Sequence, residues 1–218
     1  MRLIIFTRYP EAGRVKTRLI PALGNQGAEK LHRIMVEHTV RKAEEFRGRT
    51  ELCYSGGNRR LFKAWLGDHL AYRRQKGLSL GDRIQNAMNA AFSEGENRVI
   101  IIGTDCPGLN AGLIDDAFNL LHRFELVLGP AFDGGYYLIG QNQAGFSKQM
   151  GKLFKDVSWG SDQVLQQTLV AAGKLNLRVT MLEKLADVDR PEDLTHLTSF
   201  IKSRLEPVEK SKSALPKV

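Results

Sequence analysis

Val99-Ile100-Ile101-Ile102-Gly103-Thr104-Asp105-Cys106-Pro107-Gly108-Leu109-Asn110 is the stretch on which the fold turns. Four consecutive β-branched apolar residues predict a strand covered on both faces, the habit of a parallel sheet. Pro107 fixes the turn that follows and biases Cys106 toward an extended backbone. Asn110 is a natural N-cap for a helix carrying Leu113, Ala117, Leu120, Leu121 and Phe124. The stretch is therefore strand, turn and helix, with Asp105 at the end of the strand.

The same alternation extends in both directions. Arg2–Phe6 reads as a strand, and Leu31, Ile34, Met35, His38 and Phe46 recur at helical spacing. Glu51–Ser55 is a second strand, Leu61–Leu66 a short helix and Leu70–Arg74 a third strand. A helix over Ile84, Ala87, Met88 and Ala91 closes at Gly95. Beyond the opening stretch, Leu126–Leu128 and Tyr136–Ile139 read as strands. A helix over Asp162–Ala172 is expected to end at Gly173. Leu177–Leu182 returns as a strand, and a single helix is expected over Pro191–Leu205. Residues 206–218 form a polar tail expected to be mobile. Strands alternating with helices predict an α/β class protein: a three-layer α/β/α sandwich on a mainly parallel mixed sheet. In such sheets ligands sit beyond the carboxyl ends of the strands, so the loops there are where chemistry is sought.

Composition narrows the classes. The 218 residues carry a formal net charge of +8, and 42% are hydrophobic, which excludes a disordered or fibrous chain. Residues 1–75 hold 16 Lys and Arg against 7 Asp and Glu; the remaining residues hold 16 against 17. The surplus thus lies in the first third, where it suits phosphate binding or nucleic acid. Sparse aromatics among those cations and the lack of a nucleic-acid motif disfavour the latter. Two cysteines frame neither disulfides nor a zinc site. The apolar runs are strand-sized, so no membrane partner is expected. With no leader-like start, the cytoplasm is the expected compartment.

Four loops can carry chemistry. Thr7–Leu19 combines Gly13 with Arg8, Arg14, Lys16 and Arg18, cations suited to phosphate oxygens, yet it is neither a Walker A loop nor a dinucleotide fingerprint. Asp105 is placed to hold a divalent cation shared with substrate phosphates, and is otherwise a turn-former. Asp133-Gly134-Gly135 lets backbone approach a ligand or makes a tight hairpin. In Asp187-Val188-Asp189-Arg190-Pro191-Glu192, Asp189 with Glu192 has capping-box spacing, leaving Asp187 the freer carboxylate. His32 and His38 read as packing or surface residues. No nucleophile elbow is present.

Together, in this order, Gly13-Arg-Val-Lys-Thr-Arg-Leu19, Leu80-Gly-Asp-Arg-Ile84, Gly103-Thr-Asp-Cys-Pro107, the run Gly129–Gly140 and Asp187–Leu194 resemble GT-A-fold transferases of the arsenosugar-biosynthesis glycosyltransferase type. More distantly they are similar to the guanylyltransferases of phospholactate and molybdenum-cofactor metabolism. The likeness spans residues 1–205 and implies a single nucleotide-diphospho-sugar-transferase-like domain with a nucleotide donor. It implies that Gly13, Lys16 and Arg18 hold donor phosphates and that Gln75 and Arg83 line the nucleoside pocket. Asp105 stands where such enzymes bind Mg²⁺ or Mn²⁺. A full Asp-x-Asp is absent there, so a second ligand is expected from Asp133, Asp187 or Asp189.

The expected activity is metal-dependent glycosyl transfer from a nucleotide sugar to a small acceptor. Nucleotidyl transfer from a nucleoside triphosphate is the alternative, and a non-catalytic nucleotide-binding regulator a second. Asp133 is the candidate general base, Lys16 and Arg18 stabilise the leaving phosphates, and Tyr136 and Trp159 are expected to shape the acceptor pocket.

Overall fold

A computed structural model describes residues 1–149 and 151–205; the polar tail expected at 206–218 lies outside the described residues. The apolar runs become β1 (Arg2–Arg8), β2 (Thr50–Ser55), β3 (Ala71–Arg74), β4 (Arg98–Ile102), β5 (Leu126–Pro130), β6 (Tyr136–Asn142) and β7 (Val179–Met181). They form one sheet in the order β3-β2-β1-β4-β6-β5-β7. β6 runs antiparallel to both its neighbours, β4 and β5, while the other pairings are parallel. This is the predicted mainly parallel mixed sheet.

Helices cover both faces. Alternate residues of the central strands, Leu3, Ile5, Ile100 and Ile102, pack beneath α1 (Ile20–Lys42), α2 (Arg59–Leu66) and α4 (Ala111–Leu120). Ile4, Val99 and Ile101 point the other way, toward α3 (Leu80–Ser93) and α6 (Val164–Lys174), with α5 (Gln143–Gln149) at the edge. A strand with apolar residues on both faces can be buried only in such a sandwich. A third cluster joins Leu19, Leu31, Ile34 and Met35 to Val188, Leu197 and Ile201, seating α7 (Ser199–Leu205) on the outside of α1. Among the described residues no helix is long and apolar enough to cross a membrane.

Three local expectations are corrected. Phe46, expected in helical register with Leu31, lies beyond α1 in a 3₁₀ turn over Ala43–Phe46; α1 itself starts at Ile20 and kinks at Gly24, whose φ of 69° interrupts the helix. α6 runs past Gly173 to Lys174 and turns at Asn176, which has a φ of 52°. The expected helix over Pro191–Leu205 is two pieces: a 3₁₀ helix over Pro191–His196 and α7, parted by Leu197 in extended backbone (ψ 132°). Leu197 is buried in the third cluster, and that packing outweighs continuity of the helix.

Candidate active site

The loop after β1 is built around an uncommon backbone conformation. Lys16 is left-handed (φ 47°, ψ 42°) and its side chain is 97% buried. Its ammonium lies 2.5 Å from Asp105 Oδ1 and 3.7 Å from Asp189 Oδ1, and donates to the Val188 carbonyl at 2.5 Å. Arg18 completes the join, 2.8 Å from Asp189 Oδ2. Three distant segments therefore meet at one cation: the β1 loop, the turn after β4 and the segment before the last helices. A backbone bond from Val188 N–H to Asp105 O, 2.8 Å, fixes the latter two together. Lys16, expected to hold donor phosphates, is used by this arrangement as an internal cross-link.

Asp189 thus departs from its expected capping role. The backbone N–H groups of Asp189 and Arg190 bond instead to Asp193 Oδ2, at 3.0 and 2.7 Å. Asp193 serves the 3₁₀ turn, which frees the Asp189 carboxylate for the two cations.

The remaining carboxylates follow from strand register. β5 continues past its bulge into a bridge between Ala131 and Leu185. Asp133 and Asp187 each lie two residues beyond that bridge, which brings them together. Asp133 Oδ1 accepts from Gly135 N–H at 2.8 Å, an Asx turn closing the β5–β6 hairpin. Gly134 has a φ of 89°, and a Cβ there would lie 2.1 Å from the Asp162 carbonyl. The tight hairpin anticipated for Asp133-Gly134-Gly135 is present, and the close backbone approach that Gly134 allows is to the Asp162 carbonyl of the chain itself.

The electrostatics separate these carboxyls. Burial raises the Asp105 carboxyl, but the Lys16 ammonium, helped by His32 and Arg8, outweighs it and holds it below the ordinary range. Asp187 is pushed up to about 6, first by burial and then by the charge of Asp133. Surplus negative charge beside Asp187 is a condition a cation relieves, and carboxylate oxygens are the ligands Mg²⁺ or Mn²⁺ prefers. Asp187 fits such an ion chemically, whereas Asp105 and Asp189 are engaged by Lys16 and Arg18 and would have to exchange that partner for the ion. Among the described residues no three His, Cys, Asp or Glu side chains form a ready-made cage, so substrate oxygens would complete the coordination.

Beside this cluster, at the carboxyl ends of β1 and β2, lies an open cleft of about 400 Å³ lined by Arg8, Tyr9, Glu11, Arg14, Ser55, Gly56 and Arg83. Arg8, in the lining of the cleft, is among the cations that lower the Asp105 pKa. Arg83 enters from the start of α3, where a Ser79–Asp82 capping box sets the helix. Its Nε donates to the Gly77 carbonyl at 3.2 Å. Gln75, expected beside Arg83 in the nucleoside pocket, is not among the residues lining this cleft; its amide donates to the Cys53 and Thr7 carbonyls at 2.9 and 3.3 Å and ties the ends of β1 and β2 to the strand end at residue 75. Gly13, at φ 78°, turns the β1 loop at its exposed outer edge.

Tyr136 and Trp159 do not line this cleft. Trp159 packs against Tyr136 and Phe154, with ring centroids 6.4 and 6.2 Å apart, and against Gly81 of α3, where a Cβ would sit 2.9 Å from the indole. Both belong to the packing of the α3–α6 layer. The expected acceptor pocket is corrected to core packing, because the alternation along β6 turns Tyr136 into that layer.

Two contributors were missed. His32, buried on α1, lies 2.9 Å through Nε2 from the Arg8 carbonyl, to which it donates. Burial lowers its pKa, with Asp105 and Lys16 close enough to act on it. Lys42 donates to the Pro107 and Leu109 carbonyls, 2.8 and 2.5 Å, and so clamps the turn carrying Asp105. Neither has a motif. The signal for Lys42 is a cation at the end of an apolar helix, which is common on any surface.

Comparison with known proteins agrees with this fold. A crystal structure from Desulfovibrio desulfuricans G20, provisionally named a nucleotide-diphospho-sugar transferase, is 36% identical and superposes with a TM-score of 0.83 over 89% of this chain and 85% of that one. The inositol-1-phosphate CTP transferase of T. maritima, 17% identical with a TM-score of 0.54 over 94% and 95% of the two chains, shares the fold. The 2-phospho-L-lactate guanylyltransferase of Methanocaldococcus vulcanius is 23% identical over 134 residues, 60% of this chain. That match spans only 58% of the curated relative's length. The model of a family described as an uncharacterized protein conserved in bacteria, DUF2064, matches residues 39–161. With more than half of its length matched by that model, the chain belongs to the DUF2064 family and carries the nucleotide-diphospho-sugar-transferase-like fold.

Proposed function

We propose that the protein transfers a group from a nucleotide-activated donor to a small acceptor, with the donor lying along the cleft from Arg83 to Asp105. The observation that carries this is the juxtaposition at one sheet edge of a cation-lined cleft and a carboxylate cluster. The cleft suits a phosphorylated donor, and the carboxylates suit a divalent ion and a proton acceptor. Arg8, Arg14 and Arg18 supply forked donors to phosphate oxygens. The exposed turn at Gly13 adds backbone N–H groups, and Lys16 joins them if it leaves Asp105 and the Val188 carbonyl. Mg²⁺ or Mn²⁺ on Asp105 with Asp187 or Asp189 would supply charge neutralisation on those phosphates.

Asp187, raised to about 6 by burial and then by the charge of Asp133, titrates toward neutrality, which is where a general base works best. Asp133, fixed by its turn to Gly135 N–H, is the second candidate for that role. Preorganised charges of this kind are each worth about 3–4 kcal/mol to a transition state in a dry site.

Glycosyl transfer is the first reading, supported by the 36% likeness to the D. desulfuricans protein. Nucleotidyl transfer is the second, supported by the likeness to a guanylyltransferase. Their products differ. Incubation with nucleotide sugars, or with nucleoside triphosphates and phosphorylated small molecules, is followed for nucleoside diphosphate and pyrophosphate. Nucleoside diphosphate from a nucleotide sugar supports the first reading and pyrophosphate the second. If no nucleotide raises the melting temperature, or if Asp105→Ala leaves that rise intact, the assignment of the site fails.

A further inference from the structure

We infer that the Lys16 ammonium occupies the seat of the divalent ion and yields it only when donor phosphates draw Lys16 away, an inference that rests on the reading of this site as one for a phosphorylated donor and Mg²⁺ or Mn²⁺.

The surroundings of the ammonium are those of a small hard cation. Asp105 Oδ1 and the Val188 carbonyl stand 2.5 Å from its nitrogen and Asp189 Oδ1 stands 3.7 Å away, while the side chain is buried. Carboxylate and carbonyl oxygens are also the ligands that Mg²⁺ and Mn²⁺ take. An ammonium has three protons and no acceptor, so with three protein oxygens around it Lys16 has nothing left to offer a ligand in the cleft.

The oxygen side of this seat is rigid. Val188 N–H donates to the Asp105 carbonyl at 2.8 Å, and Lys42 holds the turn carrying Asp105 through the Pro107 and Leu109 carbonyls. The oxygens therefore stay together when the ammonium leaves. The lysine side is under strain. Lys16 sits at φ 47°, ψ 42°, a left-handed conformation that a residue with a Cβ adopts at a cost and keeps only while its contacts hold it. Phosphate oxygens arriving at Arg8 and Arg14, which line the cleft, offer the same loop a second anionic partner and so ease the release of the first.

Two cations do not share the seat. A single and a double positive charge a few ångströms apart repel strongly even at the effective dielectric of a protein surface. With Lys16 in place the free protein resists the ion, and with phosphates on Lys16 the oxygens are open to it. Linkage makes the effect reciprocal, so the ion in turn tightens the donor.

Mn²⁺ binding to the full chain without nucleotide, read by the loss of the free ion's paramagnetic resonance signal at about 0.15 M salt, tests this. The unaltered protein is expected to bind weakly, and Lys16→Met about tenfold or more tightly. Arg18→Met takes the same charge from Asp189 without emptying the seat, and should gain no more than about threefold. Asp105→Asn added to Lys16→Met should abolish the gain. Circular dichroism melts check that each variant folds; Lys16→Gln, which keeps a donor for the Val188 carbonyl, carries the same expectation if Lys16→Met does not fold. Equal affinity in the unaltered protein and Lys16→Met, an equal gain in Arg18→Met, or a gain that survives Asp105→Asn overturns the seating of Lys16 while the donor and metal site stands. No Mn²⁺ binding in any variant overturns this inference together with the metal part of the proposed function, and the donor part is then decided by the nucleotide melts alone.

Discussion

His32 and Asp187 are single residues whose protonation the site controls in opposite senses. His32 is buried and donates through Nε2 to the Arg8 carbonyl, and its pKa is lowered. The folded protein holds it neutral while the unfolded chain protonates it near pH 6.5, so its contribution is present above that pH and is lost as pH falls. His32→Gln, which retains a donor, should flatten the fall in melting temperature between pH 7 and 5; an unchanged slope would show that His32 is not the titrating group. Asp187 is raised to about 6, so the folded protein favours its protonated form. Stability is then full below the ordinary carboxylate pKa, near 4, and declines as pH rises through 6. Asp187→Asn should gain ~1–2 kcal/mol at pH 8, after allowance for solvent screening, and nothing at pH 4. Loss of transfer activity alongside that gain is the expected trade between stability and function. Neither shift is legible in the sequence, because both arise first from burial in the folded chain, and the charge that adds to it at Asp187 comes from Asp133, more than fifty residues away.

Elements were legible where their reasons are local. Asn110 caps α4 by accepting from Leu113 N–H at 3.0 Å, as its position before an apolar helix implies. The strands follow apolar runs that have no other place to go. The single helix expected over Pro191–Leu205 failed because Leu197 is drawn into a cluster with α1, more than 150 residues earlier. The Gly134 turn combines both kinds of constraint. Its φ of 89° is local, while the Asp162 carbonyl against its α-carbon comes from another segment. Gly134→Ala should therefore cost about 3 kcal/mol or more in urea denaturation, since strain and a backbone clash add. Gly135→Ala, facing only the Asp133 side chain at 3.2 Å, should cost under about 1 kcal/mol. Equal costs would mean that the turn relaxes and is not a fixed part of the site. The clamp from α1 to the Asp105 turn gives a parallel test. Lys42→Met removes two charge-assisted bonds to carbonyls, for a loss of ~2–3 kcal/mol, and should weaken nucleotide binding through Asp105. A stability loss with unchanged nucleotide affinity would confine Lys42 to a structural role.

At the scale of the molecule, the net +8 divides into two uses. Arg2 and Arg73 pair with Glu51 and Glu94, with Glu96 also on Arg2, at the end of the sheet where β1 and β4 begin. Arg8, Arg14, Lys16 and Arg18 gather at the opposite end, where the cleft opens. The second group was visible as a basic loop after the first strand. The depth to which Lys16 is buried was not, because it depends on residues 105, 188 and 189. Through Lys16 the first loop, the turn after β4 and the last segment share one cation, so its removal should be felt across the chain. Lys16→Met leaves Asp105 and Asp189 facing each other without it. Breaking a fully buried pair costs about 3–5 kcal/mol, but Asp105 is half exposed, so ~1–3 kcal/mol is expected here. Because Lys16 lowers the Asp105 pKa, that cost is present at neutral pH and shrinks as acid protonates the carboxyl. Asp105→Asn added to Lys16→Met should restore part of the loss, giving a coupling energy of about 1 kcal/mol or more in a double-mutant cycle. If the two losses add, the ammonium is not what joins the halves of the site, and Lys16 is free to serve the donor phosphates alone.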